Sequence, residues 1–283
     1  MEFRPMNHRK QIVYLHLPTT AELTTAQKRH TLNMASKVFI VTGASQGLGL
    51  AIAKYLIGES HQVIVTARSA EPLEDLKRAH PGQVDYVTGD MTDAEMPEKV
   101  ISTALRTFGQ LDGLVLNHAM LVSEKFESMS ITQCKGLYDV NVFSCITMAQ
   151  RAIPEIRKTK GCIIWVSSGA ARTAYQGWSA YASSKAAVNS LSTCLAFEEK
   201  DITSITIEPG RVDTDMQKHI RSFGKDSMDK SQHDNFIQAF EQGQLLKPEQ
   251  PGHVIARFVA KPNKTMSGQN LKWNSPELKS YQG

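Results

Sequence analysis

Little in this chain is lopsided. Its 32 lysines and arginines against 28 acids leave a formal charge of +4 over 283 residues, and no basic block stands out. That balance excludes the electrostatic footprint of a nucleic-acid binder. No apolar run approaches the roughly 18 residues that a membrane-spanning helix needs. The four cysteines, Cys134, Cys145, Cys162 and Cys194, form no C-x-x-C pair, and no secretory pattern precedes them. They are therefore expected to be free thiols in a reducing compartment, which points to the cytoplasm. The nine histidines show no H-x-x-x-H or H-E-x-x-H spacing, so no metal site is expected.

What the chain does have is apolar residues, 41% of the total, enough for the core of one large domain. The first residues are polar and weakly patterned. Glu2, Glu22 and the absence of an amphipathic repeat argue against a transit peptide. Residues 1–36 are expected to be a disordered extension, and 37–283 the folded domain.

Six short apolar runs alternate with helical patterns. The strand-like runs are KVFIVTG, HQVIVTAR, QVDYVTGD, LDGLVLNHA, GCIIWVSS and ITSITIEPG. Between them lie GLGLAIAKYLIGE, EPLEDLKRAH, EMPEKVISTALRTFG and longer helices over about Gln133–Lys158 and Ser179–Lys200. Such alternation means β-α-β units, hence an α/β fold built on a doubly wound parallel sheet. Right-handed crossovers would place a ligand crevice at the carboxyl ends of the strands. Residues 215–246 break the rhythm just after the sixth run. They are mostly polar, with apolar islands at Met216, Ile220, Phe223, Phe236, Ile237 and Phe240 and glycines at Gly224 and Gly243. A long insert at that edge reads as a substrate lid, with the glycines as hinges.

The segment TGASQGLG, Thr42–Gly49, sits between the first strand and the first helix. Gly43, Gly47 and Gly49 would let the backbone turn tightly and approach a pyrophosphate, which the helix N-terminus attracts. The second strand ends in VTARS. Ala67 stands where an acid would bind a ribose 2′-hydroxyl, and the next residue, Arg68, can pair with a 2′-phosphate. That combination favours NADP(H). Gln46 supplies no second cation.

In WSAYASSKAAV, Tyr181 and Lys185 lie one helical turn apart and share a face. A phenol titrates near 10, too high for easy exchange at neutral pH, and a neighbouring ammonium would lower that value. Alone, such a pair reads as a solvated helix edge; the alternative is that Tyr181 acts as an acid that Lys185 tunes.

Taken together, TGASQGLG and YASSK resemble the short-chain dehydrogenases/reductases, over roughly Lys37 to the C-terminus. The resemblance implies a Rossmann-type single domain and a nicotinamide cofactor. It implies catalytic roles for Asn141, Ser168, Tyr181 and Lys185, with Asn141 holding a water that links Lys185 to solvent and Lys185 gripping the nicotinamide ribose. Ser168 is the serine thirteen residues before the tyrosine. Ser167 competes with it, but adjacent strand residues point to opposite faces, so only one can serve. The implied nucleotide site also takes in Ser45, Gln46, Leu48, Ser69, Asp90, Met91, Asn117, Pro209, Gly210, Val212 and Thr214. The Asn-Ala-Gly segment usual after the fourth strand reads Asn117-His118-Ala119 here, a departure. His118 is read as a hydrogen-bonded structural histidine.

Longer stretches, ARSAEPLEDLK, PGRVDTDMQKHIR and SGQNLKWNSPEL, are similar to the benzil reductase branch, itself similar to sepiapterin reductases. That likeness implies NADPH-dependent reduction of a ketone or vicinal diketone. Met120, Tyr175, Trp178 and Met216 would line the pocket for a flat apolar carbonyl compound. A homodimer or homotetramer is implied as well. The rival reading is a nucleotide-sensing protein on the same fold, without turnover.

Overall fold

The computed structural model describes residues 36–283. The extension anticipated over residues 1–36 thus lies outside the described residues, apart from Ser36.

Seven strands form one parallel sheet: β1 Val38–Thr42, β2 Gln62–Ala67, β3 Val84–Thr88, β4 Gly113–Leu116, β5 Cys162–Val166, β6 Thr203–Glu208 and β7 Asn270–Lys272. Their order is β3-β2-β1-β4-β5-β6-β7. The direction of winding reverses between β1 and β4, so a crevice opens there at the carboxyl ends. The six strands anticipated are all present. β7 was missed. It has three residues, none buried, and so carries no apolar run.

The strands alternate strictly between two apolar layers. On one face, Phe39, Val41, Val63, Val65, Ile164 and Ile205 pack beneath α1 (Gly47–Gly58) and α2 (Glu71–Ala79). The other face presents Val38, Ile40, Ile64, Leu114, Ile163 and Trp165. It is covered by α3 (Met96–Phe108), then, beyond α4 (Ile131–Tyr138), by α5 (Ser144–Thr159) and α6 (Ser179–Glu198). Burial on both faces is why the strands read as continuous apolar runs.

The single helix anticipated over Gln133–Lys158 runs without interruption from Ile131 to Thr159. A π turn, Asp139–Phe143, lies within it, between α4 and α5. Such turns insert one extra residue and recur at functional sites. This one carries Asn141, completely buried.

The segment 215–246 is more ordered than an irregular insert. It forms α7 (Asp215–Phe223) and α8 (Lys230–Glu241), joined by a short 3₁₀ turn. Ile220, Met228 and Phe236 join Leu137, Trp178 and Tyr181 in a third apolar cluster beside the crevice. Phe223 and Phe240 instead face outward, 66% and 50% exposed. At Gly224 a side chain would press on Met228 Sδ at 2.8 Å. Gly243, at φ +64° with open space around it, ends α8 in the left-handed conformation that glycine favours.

A further helix, α9 (Glu249–Ala260), had no counterpart in the sequence reading. It packs on α1, where the Gly252 Cα face meets Ala51. The chain closes with α10 (Lys279–Gln282). Among the described residues no helix is long and apolar enough to cross a membrane.

Candidate active site

The carboxyl ends of β1, β2, β4, β5 and β6 open into one cavity of about 1080 Å³. At one end lies the glycine turn. Gly43 and Gly47 adopt φ +65° and +54°, which side chains resist. A side chain at Gly43 would press on His118 Cα at 3.0 Å, and one at Gly47 on Thr214 Cγ2 at 3.0 Å. Gly49 has no room at all: a Cβ would lie 2.3 Å from the Gly43 carbonyl oxygen. The turn therefore packs its own helix start tightly and keeps its outer side free of side chains. Helix α1 begins there with no side-chain cap and no acid in its first turn. Its free N–H groups and positive dipole end remain available to an anion. A dinucleotide pyrophosphate fits this cradle.

Asn117 braces the turn from β4. Its amide donates to the Thr42 and Gly43 carbonyls (2.9 and 3.1 Å). His118 is buried behind it. Its Nδ1 meets Thr42 Oγ1 and its Nε2 meets Ser144 Oγ, each at 2.7 Å. Burial, aided by Lys185, lowers the His118 pKa to about 4, so the ring is neutral at physiological pH. The structural reading of this histidine holds.

Along the adjoining rim, Arg68 and Ser69 follow β2, both exposed. Arg68 makes no ion pair among the described residues. Asp90 follows β3, its carboxylate held by the Thr92 amide (2.9 Å) and hydroxyl (2.8 Å). Those bonds place its pKa below the usual carboxylate range.

At the other end lie the hydroxyls of Ser168, just past β5, and Tyr181, on α6. Tyr181 is buried, which raises its pKa; the hydrogen bond with Ser168 acts in the opposite direction. Lys185 is buried one turn further on. Its Nζ donates to the Val166 carbonyl (2.8 Å) and sits 6.0 Å from the centre of the Tyr181 ring. Burial lowers the Lys185 pKa to about 8. At Tyr181 burial outweighs the lowering effect of the hydrogen bond with Ser168.

Asn141 is anchored to protein partners. Its Oδ1 accepts from the Met120 amide (2.8 Å). Its Nδ2 donates to the Met120 carbonyl (2.9 Å) and to Ser184 Oγ (3.1 Å). Both amide hydrogens are thus used, and one lone pair of Oδ1 remains. The competition between the two serines is settled by direction. Ser167 Oγ turns away and donates to Asn189 (2.6 Å), leaving Ser168 beside Tyr181.

All the anticipated nucleotide and substrate residues line the cavity except Gly49, and of the four catalytic candidates only Asn141 lies behind the wall. Ser45, Gln46, Leu48, Met91, Pro209, Gly210, Val212 and Thr214 complete the floor and rim; Met120, Tyr175, Trp178 and Met216 stand at the Tyr181 end. The Trp178 ring stacks on Tyr175 with centroids 4.7 Å apart and meets Tyr181 edge-on at 5.7 Å. Sequence reasoning missed Glu208, Gln217, Phe236 and Trp273 as lining residues. Only Glu208 carried a signal, a carboxylate closing an otherwise fully buried strand.

A nucleotide cradle joined to a Ser-Tyr-Lys group, its tyrosine and lysine buried, defines an oxidoreductase of the nicotinamide class. The chain belongs to the short chain dehydrogenase family, whose model matches residues 37–225, and falls in its benzil reductase-like branch. It is similar to an uncharacterised oxidoreductase of Schizosaccharomyces pombe, 39% identical over 85% of this chain and 98% of that one. It also resembles a Saccharomyces cerevisiae benzil reductase that forms (S)-benzoin, 36% identical over 87% and 99% of the two chains. A crystal structure of a short chain dehydrogenase/reductase from Saccharomyces cerevisiae superposes with a TM-score of 0.86. It is 35% identical and covers 88% of this chain and 100% of that one.

Proposed function

We propose that the protein is an NADPH-dependent carbonyl reductase acting on a ketone or vicinal diketone such as benzil. The observation that carries this reading is the buried Tyr181 hydroxyl beside Ser168, at the end of the cavity opposite Arg68. When bound, the nicotinamide nucleotide supplies the hydride. The glycine turn and the α1 N-terminus would hold its pyrophosphate, Arg68 and Ser69 its 2′-phosphate, and Asp90 its adenine side. Lys185 reaches towards the ribose.

Ser168 orients the carbonyl oxygen by donating a hydrogen bond to it. Tyr181 protonates that oxygen as negative charge builds there. Lys185, within 6.0 Å of the Tyr181 ring, replenishes and electrostatically supports the phenol once charge develops. Asn141 acts as a positioning residue, fixing the Met120 main chain at the substrate end. Trp178, Tyr175, Met120 and Met216 offer flat apolar surface to an aryl group. Residues 215–246 cover the substrate as a lid. The reading extends to a homodimer or homotetramer in the cytoplasm.

The test is loss of NADPH absorbance with a panel of diketones, quinones and aldehydes, run in parallel with NADH. Turnover of aryl diketones with NADPH is expected. Tight NADPH binding with no turnover of any member would support the rival, a nucleotide-sensing protein.

A further inference from the structure

β6 is buried throughout, and its last residue is a carboxylate. Glu208 is only 3% exposed, yet it lines the cavity. Its partner is Arg172, which reaches it in a close ion pair. Arg172 is the residue that ends the short 3₁₀ turn Gly169–Ala171. That turn starts at Ser168, whose Oγ accepts from the Ala170 amide (3.2 Å). The carboxylate lies under the turn: a Cβ at Gly169 would stand 3.9 Å from Glu208 Oε2. Arg172 also donates to the Asn270 carbonyl of β7 (3.4 Å). β7 in turn pairs with β6 at Glu208 and Lys272. The ion pair thus closes a loop from Ser168 to Arg172, then to the ends of β6 and β7.

Burying the carboxylate of an ion pair is a poor way to gain stability, because desolvation consumes much of the attraction. What it does supply is position. Resting on the reductase reading above, we infer that the Arg172–Glu208 pair is a positioning device that fixes the Ser168 hydroxyl against Tyr181. Both partners act through the Gly169–Ala171 turn. Neutralising either one frees that turn, and Ser168 loses the geometry in which it can orient a carbonyl oxygen. A misplacement of about 1 Å can cost roughly 10²-fold in rate. The loss falls on kcat, because the Ser168 hydrogen bond matters most as charge develops on the oxygen. The glycine turn lies on β1, at the other end of the cavity, and is untouched; Pro209 and Gly210 follow Glu208 directly, so nucleotide affinity is read on the Arg172 variant.

The experiment compares Glu208→Gln, Arg172→Gln and the double variant with wild type and Tyr181→Phe. It uses the carbonyl compound that wild type reduces fastest, with NADPH affinity and melting temperature measured in parallel. Each single variant should lose roughly 10–100-fold in kcat, with NADPH affinity unchanged in Arg172→Gln. The double variant should lose no more than either single one, because the same device is removed in all three, so that the two effects are strongly non-additive. Arg172 is half exposed and its variant folds even where Glu208→Gln does not. A kcat near wild type in both single variants would overturn the inference. So would losses that simply add, or a parallel loss of NADPH affinity in Arg172→Gln, which marks general loosening. In each case a dead Tyr181→Phe variant leaves the reductase reading standing, whereas full activity of Tyr181→Phe overturns that reading itself.

Discussion

Replacing Lys185 by methionine should change how stability depends on pH, and the structure gives both sign and size. Burial lowers the Lys185 pKa from 10.5 to about 8 in the folded protein. Between these values the unfolded chain holds a proton that the folded protein has released. Stability conferred through this residue must therefore rise as pH rises from 8 towards 10.5. Each pH unit of full charge difference is worth about 1.36 kcal/mol, and because titration is incomplete near both values, pH 8 to 10 gives about 2 kcal/mol. The upper limit is set at 10 because Tyr181, raised by burial, then begins to contribute with the opposite sign. Other titrating groups act alike in both proteins and cancel in the difference. So does the Val166 carbonyl that methionine leaves without its donor, since that cost does not depend on pH. The assay is urea unfolding of wild type and Lys185→Met, without nucleotide, at half-unit steps from pH 7.5 to 10. The wild-type stability should climb relative to the variant by about 2–3 kcal/mol. A constant difference across that range would refute the claim that Lys185 is desolvated, and its proposed role beside Tyr181 would need another basis.

Three further outcomes are expected. Tyr181→Phe should lower turnover about 10²–10⁴-fold while NADPH titration stays near wild type, as the loss of a positioned acid requires; activity within a few-fold of wild type would rule the assignment out. Arg68→Ala should erase most of the preference for NADPH over NADH, at a cost of about 1.5–3 kcal/mol in NADPH binding; equal affinity of wild type for the two nucleotides would dismiss Arg68 as the phosphate partner. Hydrogen exchange should show residues 215–246 better protected with NADPH and a diketone than without. Equal protection would make α7 and α8 a rigid wall, which the burial of Ile220, Met228 and Phe236 already favours in part.

Six strands were legible because a parallel strand covered on both faces must be apolar throughout, and turn residues bracket each run. β7 was not, because an edge strand of three residues needs no apolar content. α9 escaped because its first turn, Glu249-Gln250-Pro251-Gly252, looks like a loop; contact with α1 makes it a helix. The π turn at Asn141 has no composition of its own and arises from how Asp139–Phe143 must present that side chain to Met120. The site was legible residue by residue, since Gly43, Tyr181 and Lys185 declare themselves by local spacing. Its electrostatics were not. Spacing puts Lys185 beside Tyr181, but only the folded surroundings reveal that desolvation dominates both groups. The Glu208–Arg172 pair belongs to the same class, because its members lie on different elements and nothing local links them.

The contact of α9 with α1 bears on how the chain is made. Arg257 Nε donates to the Tyr55 hydroxyl across 202 residues (2.8 Å), and Gly252 sits against Ala51. During synthesis Tyr55 on α1 leaves the ribosome 202 residues ahead of Arg257 on α9. In that interval α1 can rest on its sheet, where Ile52 and Leu56 share a cluster with Phe39, Val41 and Val63, but its outer side lacks the cover of α9. The contact that completes the packing around the helix of the nucleotide cradle is therefore a late one, and its long sequence separation makes it slow to form.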